Sequence, residues 1–328
     1  MIPLTGQTLT SCDYHTAGEP FRILDVGPME GTTVLDRRSW AQENLDDLRQ
    51  FLINEPRGHA DMYGGFVVPP NDTEGDLGVV FFHKDGFSTA CGHGTIALVT
   101  WAIETGVLPA GQTHVVVDVP SGRLHTTVTY QKDRVAAVCF TNVPSFVSAT
   151  DLTVTTSQGP LTAHIAFGGA FYASVDTTEL TLSPEAAHLD ALVSLGREIK
   201  TQLNAHPAVN HPQDQRLSGL YGTIFFDTLS QDPLQQRNVT IFADGQIDRS
   251  PCGSGTSSRL ALLHHQRSLN TGDTFINHGV AGGQFTGRII NEEESGVLTT
   301  VEGSAHHYAT TTFTLDPHDS LNLGFQLR

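Results

Sequence analysis

Two cysteines of this 328-residue chain stand in the same short motif. The five-residue segments that begin at Cys91 and Cys252 share the pattern Cys-Gly-x-Gly-Thr, and a helix-like apolar stretch follows each of them. The two cysteines lie 161 residues apart, which is close to half of the chain. The sequence therefore predicts two related halves, each presenting one cysteine at the start of a helix.

A cysteine at a helix start lies beside backbone N–H groups that have no partner within the helix, and these groups lower the pKa of its thiol. Such a thiol can act as a base. The glycines that follow each cysteine leave room for a ligand to approach the same N–H groups. A small carboxylate or phosphate would fit there.

Two such thiols on opposite faces of one carbon would provide the chemistry of stereoinversion. One thiolate removes the α-proton of a substrate, and the other thiol returns a proton from the far side. Because an α-carbon is only weakly acidic, N–H donors on the substrate carboxylate must stabilise the carbanion. Two neighbouring side chains could contact a substrate nitrogen or tune a thiol: His93, two residues after Cys91, and Asp248, four residues before Cys252.

Structural interpretations of the same residues remain open at this point. Residues 92–97 also fit a G-x-G-x-x-A dinucleotide fingerprint, but the second motif places Ser258 at the last position. His93 could cap its helix, and Asp248 could bond the backbone of its own turn. Adjacent histidines occur only at 264–265 and 306–307. The sequence contains neither H-E-x-x-H nor a pair of C-x-x-C motifs, so we expect no metal site.

Composition excludes several classes of function. The chain has 18 Lys+Arg against 35 Asp+Glu, a formal charge of −17, so it would repel nucleic acid and anionic membranes. No Gly-Lys-Ser/Thr is present for a P-loop, and no apolar run is long enough to span a bilayer. The first residues lack the pattern of a secretion signal, which predicts a cytoplasmic protein whose cysteines, including Cys12 and Cys139, are free thiols.

The chain is rich in predicted strands. Alternating or β-branched runs predict strands at 79–82, 115–119, 124–130, 135–140, 164–175, 239–243 and 308–315. One helix is predicted from a cap at Ser39 through residues 40–53, and another from Ser183 to Leu203. Helices are too sparse for a repeating βαβ fold, so we expect an α+β protein with a boundary near residues 142–144.

The chain resembles the proline racemase superfamily at the cysteine motifs. The matching segments include residues 90–96 (ACGHGTI) and 248–256 (DRSPCGSGT). Residues 15–20, 55–59, 62–64 and 168–172 are similar as well, so the resemblance spans most of the chain.

The resemblance implies two pseudo-symmetric α/β domains of the diaminopimelate epimerase type. Each would be a curved mixed sheet around a central helix, with the ligand in the cleft between them. On this chain the first domain would comprise residues 1–143, completed by a segment near 305–328, and the second residues 144–304. The resemblance also implies chemistry without pyridoxal phosphate, metal or other cofactor, and a homodimer.

The resemblance assigns roles to eight residues of this chain. Cys91 and Cys252 become the catalytic acid/base pair. The substrate carboxylate would be bound by Gly92, His93, Gly253 and Ser254. Asp248 and His93 would flank the ring nitrogen, and Phe242 would form a wall of the pocket.

The superfamily divides by the residues at the two cysteine positions. Proline racemases and 4-hydroxyproline epimerases have cysteine at both positions or serine at the first, whereas trans-3-hydroxyproline dehydratases keep the first cysteine and usually have threonine at the second. Cys252 therefore favours inversion of proline or a hydroxyproline. Residues 57–63 and 82–89 look more like the dehydratase branch, so dehydration by the same thiols is the alternative. Binding of an imino acid without turnover is a third.

Overall fold

The computed structural model describes residues 8–327 as two compact units. One unit contains the chain up to Val138 together with the chain from Ser304, and the other is Cys139–Gly303. The strand β7 (Arg134–Thr141) carries the chain from the first unit into the second.

The first unit contains seven further strands and three helices. Its strands are β1 (Thr8–Thr16), β2 (Glu19–Leu24), β3 (Tyr63–Val68), β4 (Leu77–His83), β5 (His114–Val119), β6 (Gly122–Gln131) and β17 (Ala305–Thr314). Its helices are α1 (Val34–Asn44), α2 (Asp46–Ile53) and α3 (Gly92–Glu104).

The second unit contains nine strands and two α-helices. Its strands are β8 (Phe146–Thr156), β9 (Gly159–Phe167), β10 (Phe171–Asp176), β11 (Leu220–Gln231), β12 (Leu234–Phe242), β13 (Gln246–Asp248), β14 (Thr274–Gly279), β15 (Gln284–Glu293) and β16 (Gly296–Gly303). Its α-helices are α4 (Leu189–Leu203) and α5 (Gly253–His265).

The two units repeat one pattern of strand pairing. The order in the first is β17-β1-β2-β3-β4-β5-β6, and its successive pairs are antiparallel, antiparallel, parallel, antiparallel, parallel and antiparallel. The order β8-β9-β10-β11-β12-β14-β15 in the second has the same sequence of pair types. The expected α+β class and the duplicated, mixed-sheet halves are confirmed.

Each cysteine motif begins the central helix of its unit. In α3 only Trp101 and Glu104 are not buried, and in α5 every residue up to Leu263 is buried. Because both helices are enclosed on nearly all sides, their first turns are held in place by packing as well as by hydrogen bonds.

Both predicted helix starts are wrong. The first helix begins at Val34, where Thr33 and Asp36 form a reciprocal capping box, and Ser39 instead donates from within α1 to the carbonyl of Leu35. The predicted single helix is two, since α1 ends at Asn44 before α2 begins. The other predicted start, at Ser183, precedes α4 by a short 3₁₀ turn over Ala186–His188.

The predicted strand over residues 164–175 is interrupted by a turn at 168–170, between β9 and β10. A glycine permits this turn. A Cβ atom on Gly168 would lie 2.3 Å from the carbonyl oxygen of Ser254 and 2.7 Å from the backbone nitrogen of Ser258, both in α5. The turn therefore packs directly on the first turns of the helix that Cys252 precedes.

Gly168→Ala is expected to lower the free energy of unfolding by about 3 kcal/mol, because neither backbone atom can move aside cheaply. The control is Gly287→Ala, whose Cβ would meet only side-chain atoms, at 3.0 Å or more. Urea unfolding of both variants measures the difference. Equal stability of the two would contradict the close backbone packing.

None of the described helices is long and apolar enough to cross a membrane. Residues 8–327 also contain no group of three or more His, Cys, Asp or Glu side chains that could hold a metal ion.

Candidate active site

Cys91 is the N-cap residue of α3, and its side chain takes part in the cap. The backbone N–H of Gly94 donates to Sγ at 3.2 Å. The hydroxyl and the N–H of Thr95 both donate back to the Cys91 carbonyl, at 2.9 and 3.0 Å. A hydrogen bond to sulfur favours the thiolate, so the geometry suits Cys91 to act as a base.

His93 lies against the Cys91 thiol and is buried. Its ring nitrogens are 3.4 and 3.5 Å from Sγ, and the rings of Tyr63 and Phe21 meet it edge-on. Burial lowers the pKa of His93 to about 3, so the imidazole is neutral at physiological pH. The neutral ring of His93 therefore has one N–H donor and one acceptor nitrogen, and Cys91 rather than His93 caps the helix.

Cys252 is the N-cap residue of α5 and has a left-handed backbone, with φ +62°. Surrounding polar groups fix this strained turn. Ser250 Oγ accepts from the Cys252 N–H at 3.1 Å, and Asn238 and Asn277 donate to the carbonyl of Pro251 at 3.0 and 3.3 Å. A conformation that costs about 1–3 kcal/mol is thus held by the surrounding fold, as is common at functional positions.

The Cys252 thiol is protonated at neutral pH. It is buried among Ala170, Tyr172 and Ile224, and it donates to the hydroxyl oxygen of Tyr172 at 3.5 Å. Burial, together with the negative charge of Asp248, raises the pKa of this thiol to about 12. Cys252 is accordingly suited to donate a proton.

Asp248 does bond its own turn, as the structural interpretation expected. Its Oδ1 accepts from the backbone N–H and the hydroxyl of Ser250, at 2.8 and 2.7 Å. Burial nevertheless raises the pKa of Asp248 to about 6. The carboxylate is therefore largely ionised at neutral pH and poorly solvated, which would favour a cationic partner.

Asp248→Asn is expected to raise the free energy of unfolding by up to about 3 kcal/mol at about pH 8. Because the folded-state pKa lies above the unfolded one, ionisation opposes folding; the penalty grows between about pH 4 and about pH 6 and is constant above. Urea unfolding at both ends of this range measures it, with exposed Asp190→Asn as the control. An equal effect of Asp248→Asn at low and high pH would contradict the shift.

The remaining expected site residues of the second unit are Gly253, Ser254 and Phe242, and all three are buried. Gly253 and Ser254 form the buried start of α5, and Tyr172 and Ser254 join their hydroxyls at 2.6 Å. Phe242 is buried at the end of β12, where the ring of Tyr221 stacks on it at 5.5 Å. Gly92 and His93 form the equivalent buried start of α3 beside Cys91 in the first unit.

Sequence reasoning assigned no role to the tyrosines that surround the two helix starts. Tyr63 contacts His93 in the first unit, and Tyr172 contacts both Ser254 and Cys252 in the second. A signal for them was present in the sequence, because Tyr63 and Tyr172 lie in the segments 62–64 and 168–172 that resemble the family. No role had been assigned to these two segments.

The duplication also extends to neighbours that the sequence comparison did not pair. Gly64 lies opposite Phe82 in the β3–β4 pair, and Gly222 lies opposite Phe242 in the β11–β12 pair. A tyrosine precedes each glycine. Each helix start therefore has a Tyr-Gly strand start and a phenylalanine in equivalent places.

The other two cysteines differ in their surroundings. Cys12 and Cys139 lie within the strands β1 and β7, are half-buried and precede no helix. Burial raises the pKa of Cys139. Neither stands at a helix start.

Comparisons with known proteins agree with this arrangement. The profile of the family described as "Proline racemase" matches residues 11–326. A trans-3-hydroxy-L-proline dehydratase of Bacillus cereus is 41% identical, over 97% of this chain and 98% of that protein. A 3-hydroxyproline 2-epimerase of Burkholderia multivorans is 39% identical, over 98% and 99%.

A solved structure shows the same fold. The crystal structure of a hydroxyproline epimerase from Agrobacterium vitis, with trans-4-hydroxy-L-proline bound, superposes with a TM-score of 0.92. The two chains are 29% identical, and the match covers 99% of this chain and 97% of the other.

Proposed function

Because this chain belongs to the proline racemase family, we propose that it is a 3-hydroxyproline 2-epimerase that needs no cofactor and inverts the α-carbon with Cys91 and Cys252. The observation that carries this proposal is the unequal pair of thiols. Both thiols are buried at the N-cap of a central helix. The Gly94 N–H donates to the Cys91 sulfur, whereas burial and the negative charge of Asp248 keep the Cys252 thiol protonated.

The proposed reaction uses this inequality directly. For one enantiomer the Cys91 thiolate removes the α-proton, and the Cys252 thiol donates its proton to the opposite face of the carbanion. The turnover leaves Cys91 protonated and Cys252 ionised, so the product enantiomer is converted back with the roles exchanged. In trans-3-hydroxy-L-proline this inversion gives cis-3-hydroxy-D-proline.

The helix starts supply the groups that the carbanion requires. We propose that the backbone at Gly92, His93, Gly253 and Ser254 binds the substrate carboxylate, where N–H groups meet the charge that develops as the proton leaves. Asp248 and His93 would bind the ring nitrogen, since Asp248 is a poorly solvated carboxylate and His93 is a neutral imidazole. Phe242 would form an apolar wall of the pocket.

The choice of 3-hydroxyproline follows from the relatives. The two proteins that are 39% and 41% identical are named for reactions of 3-hydroxyproline, whereas the structure that holds 4-hydroxyproline is 29% identical. Segments 57–63 and 82–89 point the same way.

Dehydration of trans-3-hydroxy-L-proline is the second candidate. The 41% identical Bacillus cereus protein carries that name, and both reactions begin with the same carbanion. In dehydration the 3-hydroxyl leaves as water and the ring becomes an imine. Cys252 favours inversion, because a protonated thiol can return a proton to the α-carbon faster than a weaker acid can.

Product analysis separates these candidates. The purified protein is incubated separately with trans-3-hydroxy-L-proline, trans-4-hydroxy-L-proline and L-proline, and the products are resolved by chiral chromatography and mass. We expect cis-3-hydroxy-D-proline from the first substrate as the main product. Mainly a product that has lost water would establish the dehydratase. No reaction of any of the three would overturn both candidates, and a ligand-dependent thermal shift without exchange of the α-proton would then support a binding protein.

A further inference from the structure

The second unit contains a cavity of about 260 Å³ that belongs to neither helix start. Its lining includes the charged side chains of Arg259, Asp176 and Glu179, together with His164 and several uncharged polar groups. Arg259 lies seven residues after Cys252 on α5, which places it about 10 Å along the helix from the thiol.

Arg259 is 2% exposed and only partly satisfied. Its Nε and Nη2 both donate to Oε1 of Gln236, at 3.3 and 3.1 Å, and its guanidinium lies 3.6 Å over the ring of Phe226. Nη1 is buried and has no hydrogen-bond partner in the described part of the chain. An unpaired donor on a buried cation is costly, so its presence points to a ligand that completes it.

The other half of the molecule shows that the fold does not require this charge. Counted from the motif cysteines, the position of Arg259 on α5 corresponds to Leu98 on α3, which is fully buried. Burial lowers the pKa of Arg259 to about 9, so it remains mostly cationic at neutral pH. The duplicate fold thus packs a leucine where this unit keeps a partly unsatisfied arginine.

The remaining charges of the cavity restrict its ligand. Asp176 and Glu179 each use one carboxylate oxygen for a backbone N–H, from Thr178 at 2.9 Å and from Thr162 at 3.4 Å. Burial lowers the pKa of His164, so this side chain adds little positive charge. With two carboxylates and one guanidinium in the lining, only a ligand that carries both a negative and a positive group can pair with both kinds of charge at once.

We propose that this cavity is a second binding site, for a small zwitterionic amino acid whose carboxylate bonds Nη1 of Arg259 and whose ammonium faces Asp176 and Glu179. The ligand must be small, since the cavity is below the usual 300–1,000 Å³ of ligand pockets. An arginine fork is the side chain best suited to a carboxylate. The site does not depend on the proposed epimerase activity.

Methyl NMR of the full chain tests this site apart from the thiols. Leu234 and Leu263 line the cavity and report its occupancy, whereas Leu98 is a control methyl in the other unit. The probes are L-alanine and L-proline as acyclic and cyclic zwitterions, propionate as the carboxylate alone and propylamine as the ammonium alone. We expect saturable shifts of Leu234 and Leu263 with a zwitterion, and much weaker ones with the two single-charge probes.

Two variants make the test decisive. Arg259→Leu, which copies the packing at Leu98, is expected to weaken binding of the zwitterion at least tenfold. Glu179→Gln, at an exposed position, is expected to weaken it several-fold. Binding of L-proline alone would identify a cyclic imino acid as the ligand, and binding of both zwitterions a general α-amino acid. The absence of a saturable shift, unchanged affinity in Arg259→Leu, or propionate that binds as tightly as L-alanine would overturn the proposal.

Discussion

Cys252→Ser is expected to lower the rate of inversion of 3-hydroxyproline by about 10³-fold, since a positioned acid typically contributes 10²–10⁴-fold. A serine hydroxyl keeps the size of the side chain but is a far weaker acid than the thiol. The Cys91 base remains in this variant, so it should still remove the α-proton. We therefore expect the variant to retain more of its α-proton exchange in deuterated water, and more of any loss of water from trans-3-hydroxy-L-proline, than of its inversion activity.

The matched control for this variant is Cys139→Ser, which replaces a half-buried thiol of the same unit in a strand. It should invert the substrate at the native rate. Chiral chromatography measures inversion, and proton NMR measures exchange in the same samples. Inversion at the native rate by Cys252→Ser would remove Cys252 from the mechanism.

Cys91→Ala is expected to lower both inversion and dehydration by about 10³-fold or more, because both need the carbanion that Cys91 generates. Alanine is chosen over serine because some members of the superfamily have serine at this position. The variant loses the bond from the Gly94 N–H, while the two bonds from Thr95 to the carbonyl of residue 91 do not depend on the side chain.

The control for this second variant is Cys12→Ala, which removes a half-buried thiol of the same unit in β1. Rates of inversion and dehydration of trans-3-hydroxy-L-proline are measured by chiral analysis and product mass. The two cysteines are distinguished by which of these reactions each variant loses. Cys91→Ala should lose every reaction, whereas Cys252→Ser should lose inversion selectively. Retained exchange of the α-proton in Cys91→Ala would show that another group is the base.

The sequence predicted the centre of each unit well, because the motif residues are fixed by local physics. A Cβ atom on Gly94 or Gly255 would lie 2.7 or 2.8 Å from the sulfur of the motif cysteine, and the motif threonine donates a hydrogen bond to the cysteine carbonyl in both copies. Thr95 and Thr256 make that bond at 2.9 and 2.8 Å. Residues with such local contacts keep their spacing after duplication, so the two helix starts at Cys91 and Cys252 could be located from one sequence.

The side chains around these helix starts could not be predicted in the same way. Tyr63 and Tyr221 reach equivalent places through strand pairing, and the loops between the duplicated strands differ in length, so no single offset aligns them with the cysteines. The state of each thiol also depends on tertiary burial. Burial, and after it the negative charge of Asp248, raises the pKa of the Cys252 thiol, which sequence reasoning expected a helix start to lower.

The errors in the helices have a local cause. Ser39 is a good capping residue by type, but Thr33, six residues earlier, forms the complete capping box with Asp36 and begins α1. The turn at 168–170 had a signal that the strand prediction passed over, since the pair Gly168-Gly169 stands within the apolar run and Gly169 has φ +97°.

Deuterium incorporation at low conversion tests most directly whether two thiols act on opposite faces of one carbon. The native protein is incubated with trans-3-hydroxy-L-proline in deuterated water, and the α-position of substrate and product is analysed before about one tenth has reacted. We predict cis-3-hydroxy-D-proline that carries deuterium at its α-carbon, beside remaining substrate that still carries hydrogen, because one thiol takes the proton and the other supplies the deuteron. Product that retains the substrate's own α-hydrogen would contradict the two-thiol mechanism.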